Sequence, residues 1–305
     1  MKLLFFEDFK FGVVKGDNVV DCSAVVGGIP HSDPQGILVG VINAWGEYRP
    51  KLEAAAAAAA GVPLSSVRIR PPVPGPSHVA CMAGNYMDMG RTDPGVLDAY
   101  LKSPTAIVGS GDTMVLPDAP ATIFEGEAEL ALVISKYASR VSAAEAPGYI
   151  FGYMNFIDGS ARGLGGGLYQ SKSQHSAAPV GPFLVTADEV GDAQKLQVKL
   201  WNNGVLYQDY NTSTMARNIN QCVEFVTSVH PLKPGDILAC GTSHGGLNPF
   251  MDGDRIEMEA ERLGRLTFTV KDDLKRTWAR VTREQMAAKG TPGPTPQLRG
   301  KYAKS

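Results

Sequence analysis

The sequence predicts a mostly β fold, α+β overall, with a smaller mixed segment at the N-terminus. Three observations predict it. Short apolar runs recur from residue 78 onward, at 106–108, 113–116, 130–134, 183–186, 196–201 and 237–240, each bounded by Gly, Pro, Asn or Asp. Strands punctuated in this way build sheets rather than helical bundles. The chain also holds 34 Gly and 21 Pro in 305 residues, a generous supply of turn formers. Finally, residues 1–70 read as a few short strands followed by helices, a different texture from the rest.

Taken in order, residues 3–6, 11–14 and 19–20 predict strands, with Lys15-Gly16-Asp17-Asn18 as a hairpin turn. Residues 36–45 predict a helix. Residues 52–60 predict another, because seven consecutive alanines are the best helix formers, and Gly61-Val62-Pro63 ends it. Pro71, Pro72, Pro74 and Pro76 exclude helix interior and central strand, so residues 71–77 read as a stiff connector. The expected organisation is an N-terminal α+β domain over 1–70, the connector, and a β-rich domain over 78–270. Residues 271–305 carry nine basic and three acidic residues. They read as a charged helix and tail, a solvated face or contact arm.

Composition narrows the function classes. With 44% hydrophobic residues the chain has material for a real core, which excludes a disordered protein. A net charge of -2 argues against a nucleic-acid partner. No run approaches the ~18 apolar residues of a membrane span, and the first apolar run meets Glu7 too soon for a signal-peptide core. No membrane partner and a cytoplasmic location are therefore expected. Cys22, Cys81, Cys222 and Cys240 lack metal or redox spacing and read as buried, reduced thiols.

The chemistry concentrates in Phe124-Glu125-Gly126-Glu127-Ala128-Glu129-Leu130-Ala131-Leu132-Val133-Ile134. In a strand, Glu125, Glu127 and Glu129 share one face with Ala131 and Val133, so that face is not plainly solvated. Neighbouring carboxylates about 6.6 Å apart repel by about 2.5 kcal/mol at an effective dielectric near 20. On an exposed face that cost is small. In a pocket it demands raised pKa values or a hard cation such as Mg2+. A second carboxylate, Asp158, follows the apolar run 149–157 and reads as a turn former or a ligand where that strand breaks. Arg162, four residues on, is placed to pair with a carboxylate.

Together with Gly84-Asn85-Tyr86, Lys102-Ser103-Pro104, Gly111-Asp112-Thr113, Lys172-Ser173, Pro179-Val180-Gly181-Pro182, Asn211-Thr212-Ser213, Pro234-Gly235-Asp236 and Gly241-Thr242, in that order, these residues resemble the fumarylacetoacetate hydrolase family. The resemblance runs from about residue 80 to 270. It implies a β-roll or sandwich catalytic domain behind a small N-terminal domain, and a homodimer. It implies Glu127, Glu129 and Asp158 as ligands of Mg2+ (or Mn2+ or Ca2+), with Glu125 outside the ligand set. Tyr86, Arg162 and Thr242 would bind a small oxo-acid substrate, and Lys172 would act in catalysis.

The family's activities imply hydrolysis of a C–C bond in a 2,4-dioxo acid or related β-diketone, chemistry at home in aromatic catabolism. Cation and ammonium would stabilise the departing pyruvate-like enolate more than the ground state. Two alternatives stay open. One is an isomerase or tautomerase of an oxo-dienoate, or an oxaloacetate-type decarboxylase; the other is a metal-binding pseudoenzyme. The sequence departs from the family where a His–Glu pair usually activates water. Met89 and Thr92 stand there, and methionine accepts no proton. After Arg162 the chain reads Gly-Leu-Gly-Gly-Gly. His175 and His244, close in sequence to Lys172 and Thr242, are the candidates for a relocated general base.

Overall fold

The computed structural model describes residues 1–303 and is mostly β, as the sequence predicts. A twelve-stranded mixed sheet carries most of the strands. Its main path runs Val62–Pro63, Asn18–Asp21, Lys10–Lys15, Lys2–Phe6, Ala178–Thr186, Ile150–Arg162, Ile123–Ile134, Ile237–Ala239, Val79–Ala83 and Asp98–Lys102. A five-stranded sheet runs Val205–Asn211, Gln197–Asn202, Arg255–Ala260, Leu266–Lys271 and Thr113–Val115.

Two antiparallel strands dominate the large sheet. Ile123–Ile134 pairs with Ile150–Arg162 almost along its whole length. Every residue of the first is buried, so neither face meets bulk water. Strand alternation then sorts the side chains. Phe124, Ala128, Leu130, Leu132 and Ile134 enter a core shared with Val198, Leu200, Ile256 and Phe268 of the second sheet. Ala131 and Val133 enter a second core, against Phe5, Leu38, Val41 and Leu52. The three glutamates lie on the same strand face as Ala131 and Val133.

The N-terminal segment adds to this sheet rather than standing beside it. Leu3 pairs with Leu184, so residues 1–21 extend the sheet of the β-rich region across the proline-rich stretch. The helices form at Pro34–Asn43 and Trp45–Ala58. Asp33 caps the first by accepting from Gly36 N, with Pro34 at its first position. All four cysteines are free and buried. Among the described residues no helix is long and apolar enough to cross a membrane.

Two local expectations change. The strand holding Asp158 does not break there but continues to Arg162, which places Asp158 inside a ladder. Gly159 permits this: its N–H donates to Ala177 O at 2.8 Å, an approach too close for a side chain. The basic C-terminal segment is not one solvated helix. It forms a two-stranded ribbon, Thr277–Trp278 with Gln297–Arg299, around the six-residue helix Arg283–Ala288. It packs on its own chain, because Arg276 is fully buried and Arg283 reaches Glu125.

Candidate metal centre and active site

Glu127 and Asp158 face each other directly across the two long strands. Directly opposed residues bring Cβ atoms about 4.5–5.5 Å apart on one face. Glu129, two residues along, shares that face. One carboxylate oxygen from each of Glu127, Glu129 and Asp158 lies within 4.8 Å of the others, and all three residues are buried. The reverse face explains the Glu-Gly-Glu spacing. Gly126 pairs with Gly159, and a Cβ on Gly126 would stand 2.2 Å from the Phe250 ring. Only glycine lets that aromatic ring close the floor behind the carboxylates.

Four cations surround the acidic face. Lys102, at the end of the edge strand Asp98–Lys102, donates to Asp158 Oδ1 at 2.7 Å, to Gly159 O at 3.0 Å and to the Lys172 carbonyl. An ammonium has three protons, so Lys102 is fully committed. Lys172 ends the short helix Gly167–Lys172 that follows the Gly-rich turn. Its Nζ donates to Glu127 Oε1 at 2.7 Å and to Asp158 Oδ2. Two of its three protons are used among the described residues, and one is left for a ligand. Arg162 bonds Glu125 through Nε at 3.1 Å and Glu127 through Nη2. Arg283 holds the other side of Glu125, at 3.0 Å from Oε1. Glu125 is thus gripped by two guanidinium groups and is not part of the triad.

The carboxylates divide the electrostatic burden unequally. Burial pushes the Glu127 carboxyl up, but Lys172 and Arg162 outweigh it and hold the group well below the usual carboxylate range. Glu129 goes the other way. Burial first, then the charges of Asp158 and Glu127, raise it well above its ordinary value. Its Oε2 accepts from Gly241 N at 2.7 Å, while Oε1 is buried with no partner. An orphaned buried oxygen beside two further carboxylates suits a hard divalent cation, which takes oxygen ligands. Lys172 is buried as well. Desolvation opposes its charge, yet Asp158 and Glu127 prevail and raise its pKa.

The neighbouring wall is polar and tied together. Gln208 reaches in from the second sheet, accepts from Ala128 N at 3.1 Å and donates to Thr242 Oγ1 and Ser243 O, each at 2.8 Å. The Thr242 hydroxyl therefore accepts from Gln208, and its own proton faces only the Tyr210 hydroxyl, 3.5 Å away, whose proton goes to Ala128 O. Tyr86 is fully buried, edge-on to Tyr210 with ring centroids 4.9 Å apart, and its hydroxyl has no partner. The Tyr100 hydroxyl donates to Asp158, and its ring lies 5.4 Å from Lys172 Nζ.

The structure therefore gathers Glu127, Glu129, Asp158, Arg162 and Lys172 into one network. Thr242 and Tyr86 lie in its wall. His244 is partly buried, and Glu127 acts on its ring. His175 is exposed, and its ring makes no hydrogen bond or ion pair among the described residues. Met89 and Thr92 are also exposed. Sequence reasoning missed Lys102, Tyr100, Gln208, Asp88 and Arg283. Lys102 carried a signal as the first residue of a quoted motif, and Asp88 stands beside Met89 in a stretch already singled out; the others arrive from distant segments.

Residues 76–271 match the family model described as fumarylacetoacetate (FAA) hydrolase C-terminal. The chain belongs to the fumarylacetoacetate hydrolase family. Over 288 residues it is 29% identical to a maleylpyruvate hydrolase of Aquipseudomonas alcaligenes, covering 89% of this chain and 99% of that protein. It is 31% identical to the oxaloacetate tautomerase YisK of Bacillus subtilis over 220 residues, 67% of this chain and 73% of that protein. Among solved structures, maleylpyruvate hydrolase from Sphingobium sp. SYK-6, in complex with manganese(II) ion and pyruvate, superposes with a TM-score of 0.81. That pair is 33% identical and covers 89% of this chain and 99% of the other. Relatives within the fumarylacetoacetate hydrolase family thus include one named as a hydrolase of maleylpyruvate and one named as a tautomerase of oxaloacetate.

Proposed function

We propose that this chain is a divalent-cation-dependent hydrolase that cleaves the C3–C4 bond of a 2,4-dioxo acid of the acylpyruvate class. The observation that carries the reading is the buried Glu127–Glu129–Asp158 triad with its one unsatisfied oxygen and a lysine holding a spare proton. Maleylpyruvate, the substrate named for two relatives that span nearly the whole chain, belongs to this class.

Glu127, Glu129 and Asp158 would hold Mg2+ or Mn2+. When bound, the ion would supply Lewis-acid charge at the oxo-acid end of the substrate. The protein does the rest. The Thr242 hydroxyl donates to the substrate carboxylate, anchored by Gln208. The remaining Lys172 proton meets the oxygen on which negative charge gathers as the C3–C4 bond breaks. In a buried site that charge stabilisation is worth more than in water. Lys102 and Tyr100 fix Asp158, so the ligand geometry is set before substrate arrives.

The test is loss of diketo-enol ultraviolet absorbance from a panel of acylpyruvates, with and without Mg2+ or Mn2+, and pyruvate as the product. Metal-dependent turnover with pyruvate release is the expected outcome. One observation favours a second reading. Met89 offers no proton acceptor, and tautomerisation or decarboxylation of an oxaloacetate-like acid needs the same enolate site but no attacking water. Oxaloacetate turnover without acylpyruvate hydrolysis would select it.

A further inference from the structure

Hydrolysis needs a group that is free to accept a proton near neutral pH; imidazole titrates in that range, and the chain has five histidines. His31 bonds the Ile29 carbonyl at 2.7 Å, and His78 and His230 stack 5.2 Å apart beside Asp236. His175 is exposed. His244 alone is brought to the acidic network. It opens a turn, closed by Leu247 N donating to His244 O at 3.1 Å, that abuts the loop of Met89. A Cβ on Gly245 would stand 3.8 Å from Met89 Cγ. His244 is thus the residue before a glycine that lies beside Met89.

Two independent clamps hold it. Asp88, the residue before Met89, accepts from the His244 backbone N–H and from the Ser243 hydroxyl at 3.0 Å. The same oxygen lies 3.9 Å from His244 Nδ1. From the other side the C-terminal arm closes on the turn. Arg283 N donates to Leu247 O at 3.1 Å and Glu284 N to Gly245 O at 3.0 Å. The Thr282–Gln285 capping box starts that helix, and the Arg283 side chain ties it to Glu125. This arm lies beyond residues 76–271, outside the matched family domain.

We propose that His244 is the general base of this enzyme, with Asp88 and the C-terminal arm as the groups that position it. The proposal rests on the hydrolase reading and deepens it. With Nδ1 on the Asp88 side, Nε2 takes a proton from water. The water oxygen's electron pair forms the bond to C4 of the dioxo acid while the C4=O π pair moves onto the carbonyl oxygen, and the return of that pair re-forms the C=O as C3 departs. The C3–C4 bond then breaks, its electrons pass into the pyruvate enolate, and the imidazolium returns the proton to C3. One water is consumed, and a carboxylic acid and pyruvate result. The charged groups acting on the ring are consistent with this role. Burial lowers its pKa first; Glu127 and Asp88 oppose that, Arg283 and Arg162 add to it, and the net shift is below the ordinary 6.5.

The experiment compares wild type, H244Q, D88N and D88E. H244Q is expected to lower kcat/KM on an acylpyruvate by about 100- to 10,000-fold, with Mn2+ uptake by calorimetry unchanged. D88N is expected to lower kcat/KM and to move the acid limb of its pH profile to lower pH, because the imidazolium loses a neighbouring carboxylate. D88E is expected to bring the limb back. NMR titration of the His244 ring reads the same shift in the protein without added metal, independently of turnover. H244Q within threefold of wild type, H244Q that no longer takes up Mn2+, or a His244 titration unmoved by D88N would each overturn the assignment. A wild type inactive on every acylpyruvate overturns the hydrolase reading itself, a result distinct from an active wild type indifferent to H244Q.

Discussion

Two buried charge clusters in this chain obey opposite rules. Arg276 and Asp272 form a closed pair, both fully buried. Arg276 donates to both Asp272 oxygens at 3.0 Å, to Ala119 O at 3.0 Å and to Pro117 O at 2.8 Å. Asp272 also accepts from Leu274 N and Arg276 N. Four of the five guanidinium protons and both carboxylate oxygens are engaged, and the pair locks the C-terminal arm to the body. The Glu127–Glu129–Asp158 cluster is equally buried but unfinished: one oxygen is orphaned, one lysine proton is spare, and like charges share a face. A satisfied buried pair holds a shape. An unsatisfied one is held in tension by the fold around it and is ready for a ligand.

That contrast can be broken in four ways. The largest effect is expected from E129Q. The amide is nearly isosteric with the protonated acid that the surroundings favour, so unfolding stability stays close to wild type. Mn2+ uptake by calorimetry and turnover should both collapse, by about 1,000-fold or more if one of three anionic ligands is lost. A stable E129Q that still binds Mn2+ normally would remove the metal centre. The closed pair should behave in reverse. R276A leaves Asp272 buried without its partner and should cost about 3–5 kcal/mol in denaturant unfolding, while any folded fraction keeps its Mn2+ affinity.

The third test concerns pH. The Glu129 carboxyl is raised, so it holds a proton more readily than an ordinary glutamate and must release it to ligate a cation. Metal affinity should therefore rise with pH, by up to about tenfold per unit below the raised value, and then level off. Calorimetry in buffers of different ionisation enthalpy should show proton release on Mn2+ uptake. Affinity that is flat across the range would mean that Glu129 is already ionised. The smallest effect on binding is expected from K172M. Lys172 bridges Glu127 and Asp158 as a competing cation, so its loss should leave Mn2+ affinity unchanged or a few-fold tighter while kcat falls. Weaker metal binding in K172M would show that the lysine supports the ligands rather than opposing the ion.

Much of the site was legible because strand alternation is a local rule. Glu125, Glu127 and Glu129 had to share a face, and Ala131 and Val133 beyond them left open whether that face was solvated or buried. Asp158 was found, but as a residue at a strand end, because nothing local announced that Gly159 would let the strand run on against Ala177. The partners were harder. Lys172 lies 45 residues from Glu127, Lys102 lies 56 from Asp158, and Arg283 lies 158 from Glu125. His175 and His244 looked equivalent by sequence distance from neighbours in the site. Only the packing of the Asp88 loop and the C-terminal arm separates a ring at the surface from one beside Glu127.

By itself, then, the order of residues determined the strands and the face that the acids share, since backbone period and side-chain polarity act over a few positions. Tertiary structure decided how the buried charge is shared: which lysine spends all its protons, which carboxyl is left with a bare oxygen, and which imidazole stands near the chemistry. Electrostatic energy depends on distances between atoms in space, and those distances exist only once remote segments have closed on one another.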